Sequence, residues 1–547
     1  MKFEMKKYSL ILLTVASVIF TSCNDSFLDL KEPIKPTLET YYTDTATAFN
    51  GLVGCYNSLQ QVPRGEAPML PFILLDIRSD DTDYAANPRG AAEEGNYLNA
   101  AGFANFDIYS DTPYSTQLYN YSYRGVNTIN KYLEGIANLQ LTASQQALVN
   151  GYKAEAKFIR AYFYFVLVKN FGPSVLYTNT LTNDEWYSQK RSPESDVYSQ
   201  IFTDLREAIS VLPVKSKYPK TQLNRISKAT AQALLAKTLI TQAELNASSQ
   251  NWGEAYTLCK DIETSGEYNL TTSFKDIWLT VTQFNKESVF DIVFDESVST
   301  EGDSYIHYLS PRYIFVNGVP NHADKMVYGF GLSGITEDLA NQYGYQMNGD
   351  SLSYINMNDQ RGRYTFWARW DRYLGKSVVD KLNYRTETKN IATTDDANYY
   401  GRKYNREAPA AQYYVAGKNF KVIRYAEVLL LGAEAAYYDN KPAEALRMLN
   451  LVRERAFRDA IAANRVTLDD IKKNSSGTAL LEDIWQERRL ELAGEGDRFY
   501  DLKRTHRLDI LKTKKTDILF QKGKHEFLPI PSVELNKAPF VTQNPGY

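Results

Sequence analysis

The densest concentration of groups able to do chemistry lies near the C-terminus, where Glu487, Arg488, Arg489, Glu491, Glu495, Asp497 and Arg498 crowd into twelve positions. Paired carboxylates suit glycoside hydrolysis when they stand about 5–10 Å apart across a cleft and one has a raised pKa. Here each acid has arginine neighbours, which lower carboxylate pKa values instead. The pattern therefore predicts a charge-paired network that locks the last long helix rather than an acid and base pair. Asp76, Asp80, Asp81 and Asp83 form a second acidic run. Hard cations such as calcium take several oxygen ligands, but this run lacks the Gly and the closing Glu of an EF-hand loop, so a solvated loop is the expectation. The four histidines (His307, His322, His506 and His525) and the three cysteines fall in no zinc-like or CxxC spacing, and no metal or cofactor is expected. GxSxG, HExxH, GxGxxG and P-loop patterns are absent. The sequence names no catalyst, and the expectation is a protein that is not an enzyme.

Binding is better served. Of 547 residues 13% are aromatic, 41 of them Tyr, which favours many half-wet contacts. A sugar ring needs flat apolar faces beneath it and amide, carboxylate or guanidinium groups at its edge. Three polar windows offer such sets: Tyr84, Asn87, Arg89 and Tyr97 in the first, Tyr305, Tyr308 and Tyr328 in the second, Trp367 and Trp370 in the third. Each of these residues could equally pack within its own loop. A ring covering roughly 40 Å² contributes on the order of 1 kcal/mol at about 25 cal/mol/Å², so three rings give weak binding, roughly micromolar to millimolar. Trp252, Trp278 and Trp485 sit in helix-rich segments and are expected in the core.

Such windows need a rigid frame, and the frame is legible. In Gly151 to Pro173, Ala154, Phe158, Ala161, Phe165 and Val168 recur at helical spacing, and Leu148, Tyr152, Ile159, Tyr162 and Val166 fill the adjacent row. This predicts a helix buried on two sides and ended by Gly172-Pro173. Further helices are expected at 45–60, 117–137 and 193–212. Two segments look like copies of one helix–turn–helix unit: 229–245 followed by NWGEAYTLCKDI, and 424–438 followed by PAEALRMLNLVRERA. Both carry Glu-Ala just inside the second helix, at Glu254-Ala255 and Glu444-Ala445, in the manner of tetratricopeptide (TPR) hairpins. Between them β signals dominate, beginning with ESVFDIVF at 287–294.

The amino terminus reads as an export signal, with Lys2, Lys6 and Lys7 ahead of an apolar run over 10–20. That run is too short to span a bilayer, and no later stretch is long enough. Thr21-Ser22-Cys23 resembles the lipobox of bacterial lipoproteins, with Phe20 where an aliphatic residue is usual. The resemblance implies lipid attachment at Cys23, while an ordinary secreted protein with a chance cysteine stays open. The formal net charge of −3 gives no support to nucleic-acid binding.

Six stretches carry a fuller resemblance: AEAKFIRAYFYFVLVKNFG (154–172), NRISKATAQALLAKTLI (224–240), IRYAEVLLLGAEA (423–435), LNLVRERA (449–456), IWQERRLELAGEGDRFYDLKR (484–504) and FLPIPSVELNKAPFVTQNPGY (527–547). Together with the lipobox they resemble the SusD/RagB family of Bacteroidetes surface lipoproteins. The resemblance implies a mainly α, TPR-like superstructure with long inserted loops and a few short strands. It implies a signal peptide (1–22), a lipidated tether (23–40) and one body (41–547), with helices mainly at 117–266 and 421–505 and ligand-binding insertions at 77–116 and 268–420. It further implies attachment to the outer membrane's outer face through the lipid anchor. There the protein would deliver oligosaccharide, as an extracellular lid, to a SusC-like TonB-dependent transporter. A peptide ligand in the same role, and less readily a surface glycosidase, are the alternatives.

Overall fold

The computed structural model describes residues 38–64, 76–84, 101–246, 251–297, 333–344, 358–368, 399–401, 403 and 417–547 except 516, with short pieces at 302, 314–315, 326–327, 372–373 and 376–377. Cys23 and the signal and tether segments before residue 38 lie outside them. No described helix is long and apolar enough to cross a membrane.

The scaffold is a succession of helices: α1 (Thr45–Arg64), α2 (Pro113–Gly135), α3 (Ala143–Phe171), α4 (Glu194–Val211), α5 (Lys228–Asn246) and α6 (Trp252–Thr264). The central stretch forms α3 as its periodicity requires. Thr142 caps its first turn, with Gln145 reaching back in a reciprocal capping box, and Gly172, at φ 70°, ends it where a residue with a Cβ is strained. α3 packs against α1, α2 and α4. Phe158, Ile159, Phe163, Leu167 and Val168 are fully buried, each removal from water contributing about 1.5–3 kcal/mol. Leu148 departs from the expected stripe: it is 46% exposed while Val149 beside it is fully buried, so at this level the packed face of the helix runs through Val149.

The charges of α3 are bolts rather than a solvated edge. Arg160 donates to both Asp204 carboxylate oxygens on α4, at 2.8 and 2.7 Å, and to Asn130 on α2. Glu155 accepts from Arg225 and from the Tyr56 hydroxyl of α1.

The chain then leaves the scaffold and returns. β2 (Ser288–Ile292) pairs antiparallel with β6 (Phe420–Arg424), so everything between is one excursion whose ends are pinned together. Within it stand β3 (Ser333–Ile335), α7 (Glu337–Gln342), α8 (Gln360–Thr365), β4 (Phe366–Ala368) and β5 (Tyr399–Gly401). After β6 come α9 (Tyr425–Tyr438), α10 (Pro442–Ala456), α11 (Thr478–Glu491) and α12 (Arg498–Arg504).

The two copied units stack as TPR-like hairpins, α5 on α6, α6 on α9 and α9 on α10. Ala255 and Ala445 are both fully buried, and Gly432 of α9 admits Met448 and Cys259 so closely that a Cβ would lie 2.9 and 3.0 Å from them. The paired glutamates repeat a role: Glu254 reaches back to Arg206 on α4, and Glu444 to Lys260 on α6. Trp252 stacks on Tyr438 at 4.2 Å, and Trp278 is buried, both as core; Trp485 is only half-buried, held by a hydrogen bond to Glu434. The C-terminal tail is strapped to the end of α3 by Leu528 and by Arg191, which donates to the Phe171 and Pro173 carbonyls and to Asn544.

Candidate ligand-binding face

Of the nine candidate ligand contacts, Tyr84 and Trp367 stand on described backbone. Asn87, Arg89, Tyr97, Tyr305, Tyr308, Tyr328 and Trp370 lie outside the described residues. The two that are placed come together in one sheet. β1 (Thr82–Tyr84) pairs with β3, β3 with β5 and β5 with β4, all antiparallel, in the order β1-β3-β5-β4. Tyr84 is opposite Ser333, Gly334 is opposite both Asp83 and Tyr400, and Tyr400 is opposite Trp367. Windows that stand 283 positions apart in the chain at Tyr84 and Trp367 thus occupy the two edge strands of one sheet, about 14 Å apart by strand spacing. The inner strand Tyr399–Gly401 escaped the sequence reading. Its only signal is the Tyr-Tyr-Gly triplet, set in an Asn- and Asp-rich stretch with no alternation to mark it.

The sheet is held to the scaffold by a small apolar cluster and by buried charge. Ile335, Phe366, Leu339 and Tyr343 pack with Leu490 and Ala493 at the end of α11, and the Tyr343 hydroxyl donates to the Leu490 carbonyl at 2.6 Å. The acidic run leading into β1 corrects the expectation of a solvated loop, because Asp76, Asp80 and Asp81 are buried. Arg498 donates to both oxygens of Asp80 at 2.8 Å, and Arg489 to Asp81 and to Asp338 on α7, each at 2.7 Å. Burial alone would raise Asp80, but the hydrogen bonds and charge of Arg498, with Arg489 behind it, hold it below the ordinary carboxylate range. Thr336 ties the neighbouring strand to the same loop, donating through its hydroxyl to the Asp80 carbonyl and through its N–H to that of Asp81. Arg78 lies over the Phe499 ring at 4.1 Å. Among the described residues no cluster of His, Cys, Asp and Glu could hold a metal ion.

A second network fixes the returning strand. Arg361 pairs with Asp359, Glu487 and Glu491, Arg424 with Glu491 and Glu495, Arg455 with Glu287 and Glu491, and Lys403 with Glu495. Burial pushes Glu491 up, yet Arg455, Arg424 and Arg361 together hold it far below the usual value. A carboxylate so surrounded neither donates nor accepts a proton near neutral pH, and the dense cluster is structural, as its arginines predict.

One further concavity, about 460 Å³, opens between α1 and the segments 221–225 and 291–295. Much of its polar lining is already engaged: Arg225 is committed to Glu155, Asp291 to Lys421, and Gln60 donates to the Val293 carbonyl.

Comparison with known proteins matches this architecture. Residues 286–547 fit the SusD family, and residues 27–240 fit a family described as starch-binding, associating with the outer membrane. SusD-like protein P25 of Formosa agariphila is 25% identical, over 93% of this chain and 94% of its own. Among solved structures, a laminarin-binding SusD-like protein is 25% identical with a TM-score of 0.71, covering 92% of this chain and all of its own. Surface glycan-binding protein A from Bacteroides thetaiotaomicron, solved in complex with laminarihexaose, is 21% identical with a TM-score of 0.71 over 92% of this chain and all of its own. The chain belongs to the SusD/RagB family.

Proposed function

We propose that the protein binds oligosaccharide at the cell surface without cleaving it, and delivers it as an extracellular lid to a SusC-like TonB-dependent transporter. The observation that carries the binding is the joined sheet, in which the strands bearing Tyr84 and Trp367 share one frame clamped to the helical body. The register sets Trp367 level with Asp83 and one row from Tyr84, so the two positions belong to alternate faces, and each edge strand offers a sugar chain its own ring contact worth about 1 kcal/mol. The glycan-binding relatives support the choice of ligand, and the family described as associating with the outer membrane supports the location, with Cys23 as the lipid attachment site. The carboxylate networks, each locked by arginine, support a role without catalysis.

The test is a glycan-array and calorimetry screen, with laminarin oligosaccharides included, on the wild type and on Tyr84→Ala, Trp367→Ala and their double variant. Each single change is expected to weaken binding roughly fivefold and the double change about twenty-five-fold. Binding of peptides alone would replace the oligosaccharide, and sugar release from a labelled oligosaccharide would overturn the non-catalytic reading.

A further inference from the structure

Between α3, α4, α5, α9, α11 and α12 lies a small pocket of about 30 Å³, bordered on one side by half-buried Lys169, Lys237, Thr241 and Tyr500, with room for one or two waters or a single halide-sized ion. Its charged lining is unbalanced. Lys169, Lys237, Arg488, Lys503 and Arg504 face it, against Asp497 and Asp501.

Part of that charge is answered locally. Lys237 pairs with Glu427 at 2.8 Å and Asp497 at 2.7 Å. Arg504 pairs with both oxygens of Glu434 and with Asp501, and Asp501 also takes Arg488 at 3.1 Å. The rest is answered only at longer range, by Glu194 and Glu526 toward Lys503 and by Asp497 and Glu427 toward Lys169. Among the described residues neither Lys169 nor Lys503 has a carboxylate within 4 Å. The Lys169 ammonium has only ring faces, Tyr500 at 4.4 Å and Phe165 at 5.4 Å, and Lys503 has the Phe527 ring at 3.6 Å and the Lys169 carbonyl. Arg488, almost wholly buried, has an Nη1 with no hydrogen-bond partner. A buried guanidinium N–H left unpaired is costly, and an anion supplies both the acceptor and the charge. Burial, with smaller contributions from neighbouring cations, pushes Lys169 down to about 8 and Lys503 to about 7, against the opposing pull of the more distant carboxylates.

We propose that this cavity is a binding site for one small monovalent anion, chloride in salt solution, held by the Lys169 ammonium and the free Nη1–H of Arg488. The ion would tie α3 to α11 and α12 inside the scaffold, independently of any ligand at the surface sheet.

Crystals of the purified chain grown in sodium bromide test the site directly. An anomalous bromide peak is expected between Lys169 and Arg488. In parallel, thermal unfolding is followed as chloride replaces gluconate at constant ionic strength. At a tenfold excess over Kd the midpoint should rise by about 1–2 °C, saturably, in a chain of this length. Lys169→Met, which keeps the apolar stem and removes the charge, should abolish the chloride response and the peak. No peak in the cavity, equal midpoints in chloride and gluconate, or a response unchanged in Lys169→Met would each overturn the proposal.

Discussion

Arg498→Met should unfasten the strand Thr82–Tyr84 from the scaffold, and its cost should depend on pH in a calculable way. The side chain makes a two-pronged contact with Asp80, both bonds at 2.8 Å, and both residues are buried. Removing one partner of a buried pair typically costs about 3–5 kcal/mol, because the other charge stays behind, and Arg489, 3.7 Å from Asp80, offsets part of it, which puts the expectation at the lower end. Asp80 has one escape, which is to take a proton. Starting from an ordinary pKa of about 3.9, protonation costs roughly 1.4 kcal/mol per pH unit, or about 4 kcal/mol at pH 7 and about 1.5 kcal/mol at pH 5. The variant's penalty relative to wild type should therefore shrink on acidification by about 2 kcal/mol or more. Amide hydrogen exchange on peptides covering 76–84, corrected for intrinsic rates, reads this locally. Protection should fall by a factor of about 10²–10³ at pH 7 and about tenfold at pH 5, while peptides from α9 change little. A loss below about fivefold at pH 7, or one of equal size at both pH values, would refute the claim that this ion pair anchors the strand.

Three other outcomes follow from single features. Asp76 is buried beside Asp81, and burial first, then that neighbouring charge, pushes its carboxyl up to about 8. A folded pKa above the unfolded one means stability that is present in acid and lost from about pH 4 until the pH passes about 8, so Asp76→Asn should gain on the wild type, by on the order of 2 kcal/mol at pH 9 and far less at pH 5, in paired denaturant titrations. Gly125→Ala would bring a Cβ within 2.2 Å of the buried Phe163 ring, and a loss of about 3 kcal/mol is expected in the same titrations. Gly151→Ala, on α3 with nothing within 4 Å of the new methyl, should instead stabilise by somewhat under 1 kcal/mol.

The scaffold was legible because its signals are local. Helical periodicity marked α3 and Gly172-Pro173 its end, and the echo of Glu254-Ala255 in Glu444-Ala445 marked the stacked hairpins, since each helix's buried face repeats every three or four positions. What misled the reading was charge whose partner is distant. Asp80 and Asp81 read as solvated because nothing within their own loop neutralises them, and their partners Arg498 and Arg489 stand more than 400 residues downstream. The same holds elsewhere on the excursion. Arg361 finds Glu487 and Glu491, and Lys403 finds Glu495. Buried charges from both inserted regions, 77–116 and 268–420, converge on one short block, 487–498, at the end of α11. Buried ion pairs add little net stability over apolar packing, but they demand one geometry, since a slipped register leaves a charge uncompensated. A socket made of charge thus suits irregular segments that lack the apolar periodicity to find their own place. The cluster that first suggested acid and base catalysis is the part of the molecule that sets how the strands carrying Tyr84 and Trp367 stand relative to each other.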